Sequence, residues 1–248
     1  MFRKINFLAP VKSDAHKYSR GIVGVLAGSE KYPGAAVLCV GGARRGGAGY
    51  VKFLSQSKVA TDLIYSQFPD VVHIKSLKDE KLDAFIVGPG APKLVTIPKN
   101  IPLVLDSAAI VAVDSKRNPI TVLTPHEGEL KYLGYELGDR AKTAQKIADD
   151  LKVIVLLKGA RTIVAAPDSP ILVDTLGGPE LATAGSGDIL AGLIGSALAS
   201  WKPQNIYDAQ RVVYRTVEFH SSAGKIARKS HNPVVATDLL EAIAQVNL

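Results

Sequence analysis

Along the chain, short blocks of consecutive apolar residues alternate with longer stretches that are amphipathic or built of small residues. "GIVGVLAG" (21–28) predicts a buried strand that ends in glycine. "PGAAVLCVGGARRGGAG" (33–49) predicts a helix opened by Pro33, with glycines at its far end. Further strands are predicted at "YVKFL" (50–54), "VVHI" (71–74), "AFIVG" (84–88), "PLVLD" (102–106), "ITVLT" (120–124) and "VIVLL" (153–157). In "DRAKTAQKIADDL" (139–151), Ala141, Ala144, Ile147, Ala148 and Leu151 recur on one helical face. "RTIVAAPDSPILVD" (161–174) predicts a hairpin with a polar tip at Asp168-Ser169-Pro170. From Ile189 onward the pattern is helical, with a last N-cap expected at Thr237. Strands that are apolar almost throughout belong to a sheet covered on both faces. The order predicts an α/β fold: a doubly wound, mostly parallel sheet with helices on both faces. The Pro/Gly-rich stretch 88–102 reads as a surface loop rather than a linker.

Composition narrows this picture. The 248 residues suit one large α/β domain over 1–248, and 47% hydrophobic content supplies a sizeable core. A balance of 30 Lys+Arg against 23 Asp+Glu favours anionic partners. The basic residues are scattered and lack interleaved aromatics, so no nucleic-acid partner is expected. Cys39 is the one cysteine, set in an apolar run; disulfides and cysteine-built metal sites are excluded within the chain. His16, His73, His220 and His231 share no ligand spacing, and no metal ligands are assigned. The N-terminal stretch (1–17) has too short an apolar run for a leader and is broken by Pro10. No run reaches membrane-spanning length, so a cytoplasmic protein without a membrane partner is expected.

Open α/β sheets bind ligands beyond the carboxyl ends of their strands. The loops expected there are "AGSEKYPGA" (27–35), "VGPGA" (87–91), "LTPHEGE" (123–129), "LKGART" (157–162) and "AGSGDIL" (184–190). In the last, the amides of Gly185, Ser186 and Gly187 before a helix make a site for phosphate or a developing oxyanion. A carboxylate beside such a site, Asp188, suits a base that takes the proton of a hydroxyl attacking phosphorus. Stabilising the helix dipole is the alternative use of that Asp. Small residues at Ala191, Gly192, Gly195 and Ala197 suit close packing behind the loop. Lys158 could meet a phosphate, or be an exposed turn lysine. His126 could hydrogen-bond a ligand, and Asp106 could order the site or meet a cation.

Taken in order, these segments resemble the ADP-dependent NAD(P)H-hydrate dehydratase family of the ribokinase-like superfamily. "HKYSRG" (16–21) is similar to its HKGxxG pattern, "AGSEKYPGA" to GGSxxYxGA, and "GARRGGAG" (42–49) to AxRxGAG. Gly88-Pro89-Gly90 supplies the GPG loop, and "LDSAAI" (105–110) resembles LDADAL. "TPHEGE" (124–129) resembles TPHPGE, "KGART" (158–162) the KGxxT pattern, and "GGPELATAGSGDILAG" (177–192) the pattern GNPxxATxGSGDxLxG. "HSSAGKIA" (220–227) is similar to HxxAGxxA. The departures are Tyr18, Pro92, Ala108, Glu127 and Gly178, where the patterns have Gly, Gly, Asp, Pro and Asn.

The resemblance implies repair of hydrated NADH or NADPH: phosphorylation of the ring hydroxyl, then loss of phosphate. It implies Asp188 as base, with Gly185, Ser186 and Gly187 holding the phosphoryl group. Ala35, Gly90, His126 and Asp188 would contact the hydrated dinucleotide. Lys158, Gly159, Ala160, Arg161, Thr162 and Gly187 would contact the adenine nucleotide. ADP or ATP would be the donor with Mg²⁺, and a homo-oligomer is expected, with Trp201 and the late helices as apolar surface. A kinase of a small alcohol on the same fold, or an idle nucleotide-binding regulator, are the rival readings.

Overall fold

The computed structural model describes residues 7–94 and 96–246. Residues 1–6 of the stretch weighed as a leader, and with residues 247–248 the two ends of the expected 1–248 domain, lie outside the described residues.

Nine strands form one sheet: β1 (Ile22–Leu26), β2 (Tyr50–Leu54), β3 (Val72–Ile74), β4 (Ala84–Val87), β5 (Leu103–Leu105), β6 (Thr121–Leu123), β7 (Ile154–Leu157), β8 (Ile163–Ala165) and β9 (Leu172–Val173). Their order is β3-β2-β1-β4-β5-β6-β7-β8-β9. Pairings from β3 through β7 are parallel, and β8 and β9 continue the sheet antiparallel. The chain leaves β1 in opposite directions along the sheet, so β1 and β4 flank a topological switch point.

The helices are α1 (Pro33–Arg45), α2 (Lys58–Gln67), α3 (Arg140–Leu151), α4 (Ser186–Trp201), α5 (Ile206–Ser230) and α6 (Ala236–Ile243). Two buried apolar clusters flank the sheet. One gathers residues of α1, α2, α4, α5 and α6; the other gathers residues of α3 and the short turns after β5 and β6. The doubly wound, mostly parallel reading therefore describes this fold. Among the described residues, no helix is long and apolar enough to cross a membrane.

Four local expectations need correction. Helix α2 was not anticipated, because its core stripe is only Ala60 and Ile64; its mark in the sequence is Ser57, whose hydroxyl accepts the Ala60 amide. The first helix stops at Arg45, and Gly46-Gly47 turn the chain. Helix α4 begins at Ser186 rather than Ile189, so Asp188 lies inside its first turn. Helix α6 begins at Ala236, so Thr237 is not its cap: the Asp238 carboxylate takes the Val235 amide at 2.9 Å.

Candidate active site

Gly185 opens α4 at φ 95°, and a Cβ there would sit 2.3 Å from Leu38 Cδ1. Only glycine makes this entry. Behind it, α4 is pressed against its neighbours through missing side chains. A Cβ on Gly192 would be 2.0 Å from the Cys39 carbonyl oxygen, on Gly42 2.3 Å from that of Ile189, and on Gly195 2.2 Å from Ile86 Cγ1. Gly192 thus faces α1 rather than the sheet, while Gly195 meets the sheet at β4. The positive end of α4 is held rigidly, with Asp188 in its first turn.

Beside it lies a cluster of charge built from successive strand ends. Asp106 follows β5, Thr124 follows β6 and Lys158 follows β7. Lys158 Nζ stands 2.8 Å from Asp106 Oδ1 and 4.0 Å from Glu129 Oε2. Asp106 is 2% exposed and also accepts the Thr124 hydroxyl at 2.6 Å and that of Ser107 at 3.1 Å. The contact between Lys158 Nζ and a Cβ placed on Gly187 would be 3.4 Å, so the ammonium borders the glycine loop. Burial and the Asp106 charge, opposed by Lys158, push the Asp188 carboxyl from its ordinary 3.8 up to about 7. Burial draws Lys158 down, but Asp106, Glu129 and Asp188 outweigh it and leave the ammonium held above its usual range. A half-buried carboxyl poised near neutrality, beside a fixed cation, suits proton transfer.

A cavity of about 680 Å³ opens from this cluster toward β8 and α5. Lys158, Gly159, Ala160, Thr162, Ser186 and Gly187 line it; Arg161 does not, and is exposed. The opposite wall holds residues not singled out from the sequence: Asp174, Thr183, Leu181, Val217, His220 and Ser221. Asp174 is buried and accepts the Ser221 hydroxyl at 2.6 Å and the amides of Leu176 and Gly177. His220 Nε2 lies 3.4 Å from Ser186 Oγ, and burial lowers the imidazole to about 4, so it is neutral at pH 7. Lone residues gave no signal for these; the segments "GGPELATAGSGDILAG", for Leu181 and Thr183, and "HSSAGKIA", for His220 and Ser221, were the available ones.

At the switch point, the loops after β1 and β4 close on each other. The Gly28 amide donates to the Pro89 carbonyl at 2.8 Å, and the Ser29 hydroxyl to that of Gly90 at 2.8 Å. A Cβ on Gly90 would lie 2.7 Å from Ala35 Cβ, which places those two residues side by side. His126 is not with them. It bridges to Lys158 in parallel fashion, its side chain is 60% exposed, and its backbone amide donates to Glu129. At about 4.8 Å per strand, β4 and β7 stand roughly 14 Å apart. Asp188 heads the helix that packs across β1, β4 and β5.

The departures have local accounts. At Gly178, a Cβ would be 2.5 Å from Glu180 Oε2, and that carboxylate pairs with Arg228 at 3.4 Å. Ala108 lies in the short turn that follows Asp106. Trp201 does not offer the apolar surface expected of it: it is half-buried against the core, and its indole N–H donates to the Phe7 carbonyl at 2.7 Å.

A family model described as NAD(P)H-hydrate dehydratase matches residues 23–245. A bifunctional NAD(P)H-hydrate repair enzyme of Mycobacterium tuberculosis is 36% identical over 204 residues, covering 75% of this chain and 42% of that protein. The chain thus spans less than half the length of that relative. An ADP-dependent (S)-NAD(P)H-hydrate dehydratase of Bacillus subtilis is 28% identical, covering 94% of this chain and 91% of that one. Among solved structures, the B. subtilis ADP/ATP-dependent enzyme co-crystallised with ATP/Mg²⁺ superposes with a TM-score of 0.83 at 26% identity, covering 96% and 92% of the two chains. A ribokinase-like superfamily protein of Enterococcus faecalis superposes at 0.80 with 22% identity, which identifies the fold as ribokinase-like.

Proposed function

The chain belongs to the NAD(P)H-hydrate dehydratase family, and we propose that it restores hydrated NADH or NADPH by nucleotide-dependent dehydration. The observation that carries the reading is the Asp188 carboxyl, raised to about 7, in the first turn of α4, directly after Ser186 and Gly187, which line a 680 Å³ cavity. The ring hydroxyl of the hydrated nicotinamide faces Asp188. Its oxygen attacks the terminal phosphorus of ADP or ATP while Asp188 takes its proton, and the bond to the leaving nucleotide breaks. The α4 entry, through Gly185, Ser186 and Gly187, and the Lys158 ammonium offset charge on the transferred group. Phosphate then departs with the electrons of the C–O bond, and loss of a ring proton completes the double bond.

Lys158, Gly159, Ala160 and Thr162 form the nucleotide wall in this reading. Arg161 does not line the cavity and supports that wall only through its carbonyl, which accepts from Arg140. Ala35 and Gly90 border the dinucleotide at the switch point, with His126 at the outer edge. The donor assignment is supported by the names of the B. subtilis relatives. Mg²⁺ is expected only as the companion of nucleotide phosphates. Among the described residues no three acidic, His or Cys groups could hold a metal, and Asp106 is already engaged by Lys158 and Thr124. The described residues do not form a cage for the ion.

Incubating the protein with hydrated NADH or NADPH and either ADP or ATP tests the reading. Return of the reduced-nicotinamide absorbance with release of phosphate is expected. A stable phosphate ester would identify a kinase instead, and nucleotide binding without turnover an idle regulator. One domain, a cytoplasmic location and a homo-oligomer complete the proposal; light scattering at the monomer mass would remove the last.

A further inference from the structure

One side chain ties the two loop groups of the cleft together. Arg140 opens α3; its two terminal guanidinium nitrogens donate hydrogen bonds, while the buried Nε makes none and meets Glu127 only as an ion pair. Nη1 donates to the Arg161 carbonyl at 2.8 Å, Nη2 to the Lys158 carbonyl at 3.2 Å, and Nε stands 2.8 Å from Glu127 Oε1. The guanidinium presses on Gly159 through Nη2, which a Cβ there would approach to 2.2 Å. The Lys158 and Arg161 carbonyls are three residues apart and share one planar cation. Both are thereby held on the α3 side, while Gly159, Ala160 and Thr162 line the cavity.

Glu127 matters for the same reason. It follows His126, in a position where the resembled pattern carries proline. Here the acidic side chain anchors the loop after β6 to the guanidinium that shapes the loop after β7. The backbone already links these loops through the Lys158 amide, which donates to the Pro125 carbonyl at 2.9 Å.

We propose that Arg140 is a positioning residue for the nucleotide, shaping the 158–162 loop through two carbonyls, and that Glu127 couples that loop to the His126 side of the cleft. The inference rests on the assignment of this loop to the nucleotide. A lysine cannot replace the arginine, because an ammonium lacks the planar fork that donates to two carbonyls while its charge faces a carboxylate. Glutamine at 127 keeps an oxygen for Nε but removes the charge.

The test is calorimetric titration of ADP and ATP into wild type, Arg140→Met, Arg140→Lys, Glu127→Gln and the Arg140→Met/Glu127→Gln double variant, with kcat and melting temperature measured alongside. Hydrogen bonds to a charged donor are strong enough that Arg140→Met should weaken nucleotide binding about tenfold or more. Arg140→Lys should not restore it, and kcat at saturating nucleotide should stay within a few-fold. Glu127→Gln should weaken binding less, and the double variant should lose less than the product of the single losses, because both act through one guanidinium. Nucleotide affinity within twofold of wild type in Arg140→Met, with only a lowered melting temperature, would overturn the proposal and leave a stabilising contact. Full rescue by Arg140→Lys would overturn the fork argument. A wild type that binds neither nucleotide would overturn the functional reading itself, and this inference with it.

Discussion

Asp188 joins two demands that usually conflict: it needs a low enough charge cost to sit by phosphates and enough basicity to accept a proton. Burial and Asp106 satisfy both by raising its pKa to about 7. Asp188→Asn keeps the shape and removes the base, so kcat should fall about 10²–10⁴-fold. If the turnover stays within a few-fold, Asp188 is not the base. Stability separates the roles as well. The folded pKa lies above the unfolded one, so the folded state holds the proton longer, and stability declines as pH rises from about 4 toward 7. Asp188→Asn should abolish that decline and melt higher than wild type at pH 8, whereas a dipole-stabilising Asp would make the variant melt lower. The neighbours should move the acid limb of the kcat profile in opposite directions. Facing Asp188 are Asp106 and Lys158, with the neutral Cys39 thiol on α1 and Glu129 beyond Lys158. Asp106→Asn removes a like charge and should shift the limb to lower pH; Lys158→Met removes the cation and should shift it to higher pH. A limb that ignores both substitutions would mean that another group titrates there.

At the scale of elements, apolar runs made β1, β4 and β7 legible, and the one-faced recurrence of Ala144, Ile147 and Ala148 made α3 so. Strand ends were less so, and for one physical reason. At the last residues of the predicted strands, Asp106 and Thr124, the amides still donate to Val87 and Leu105, but the chain turns just beyond them and their side chains join the charged cluster with Lys158. Helix α2 was hidden by its narrow stripe, Asp174 by sitting at the end of a predicted hairpin with no motif of its own, and His220 by lying 34 residues along the chain from Ser186, which it faces. The small-residue pattern of α4 was visible, but not that Gly192 meets α1. Gly192→Ala would push a methyl group toward the Cys39 carbonyl, 2.0 Å from its ideal position, and backbone cannot yield as a side chain does. The cost should be about 1–3 kcal/mol, read as a lowered denaturant midpoint at unchanged m-value. An unchanged midpoint would show that the α1–α4 seam is looser than described.

For the whole molecule, the sheet order assigns the work. The switch point between β1 and β4 holds the paired loops around Ala35 and Gly90, while β7 and its antiparallel extension wall the cavity. Helix α4 packs across β1, β4 and β5 and brings Gly187 of its first turn to Lys158. That arrangement makes the α1–α4 seam part of the same body as the first turn of α4, the proposed catalytic turn. Cys39 is buried in this seam, and burial pushes its thiol well above the ordinary range, with Asp188 and Asp106 adding to the effect. The chain's one thiol is therefore a silent clock. It should resist a water-soluble alkylating reagent while the fold is closed and react only when the two helices part. Nucleotide should slow that reaction if it steadies the turn at the head of α4. Immediate labelling in the native state would show instead that the seam breathes freely.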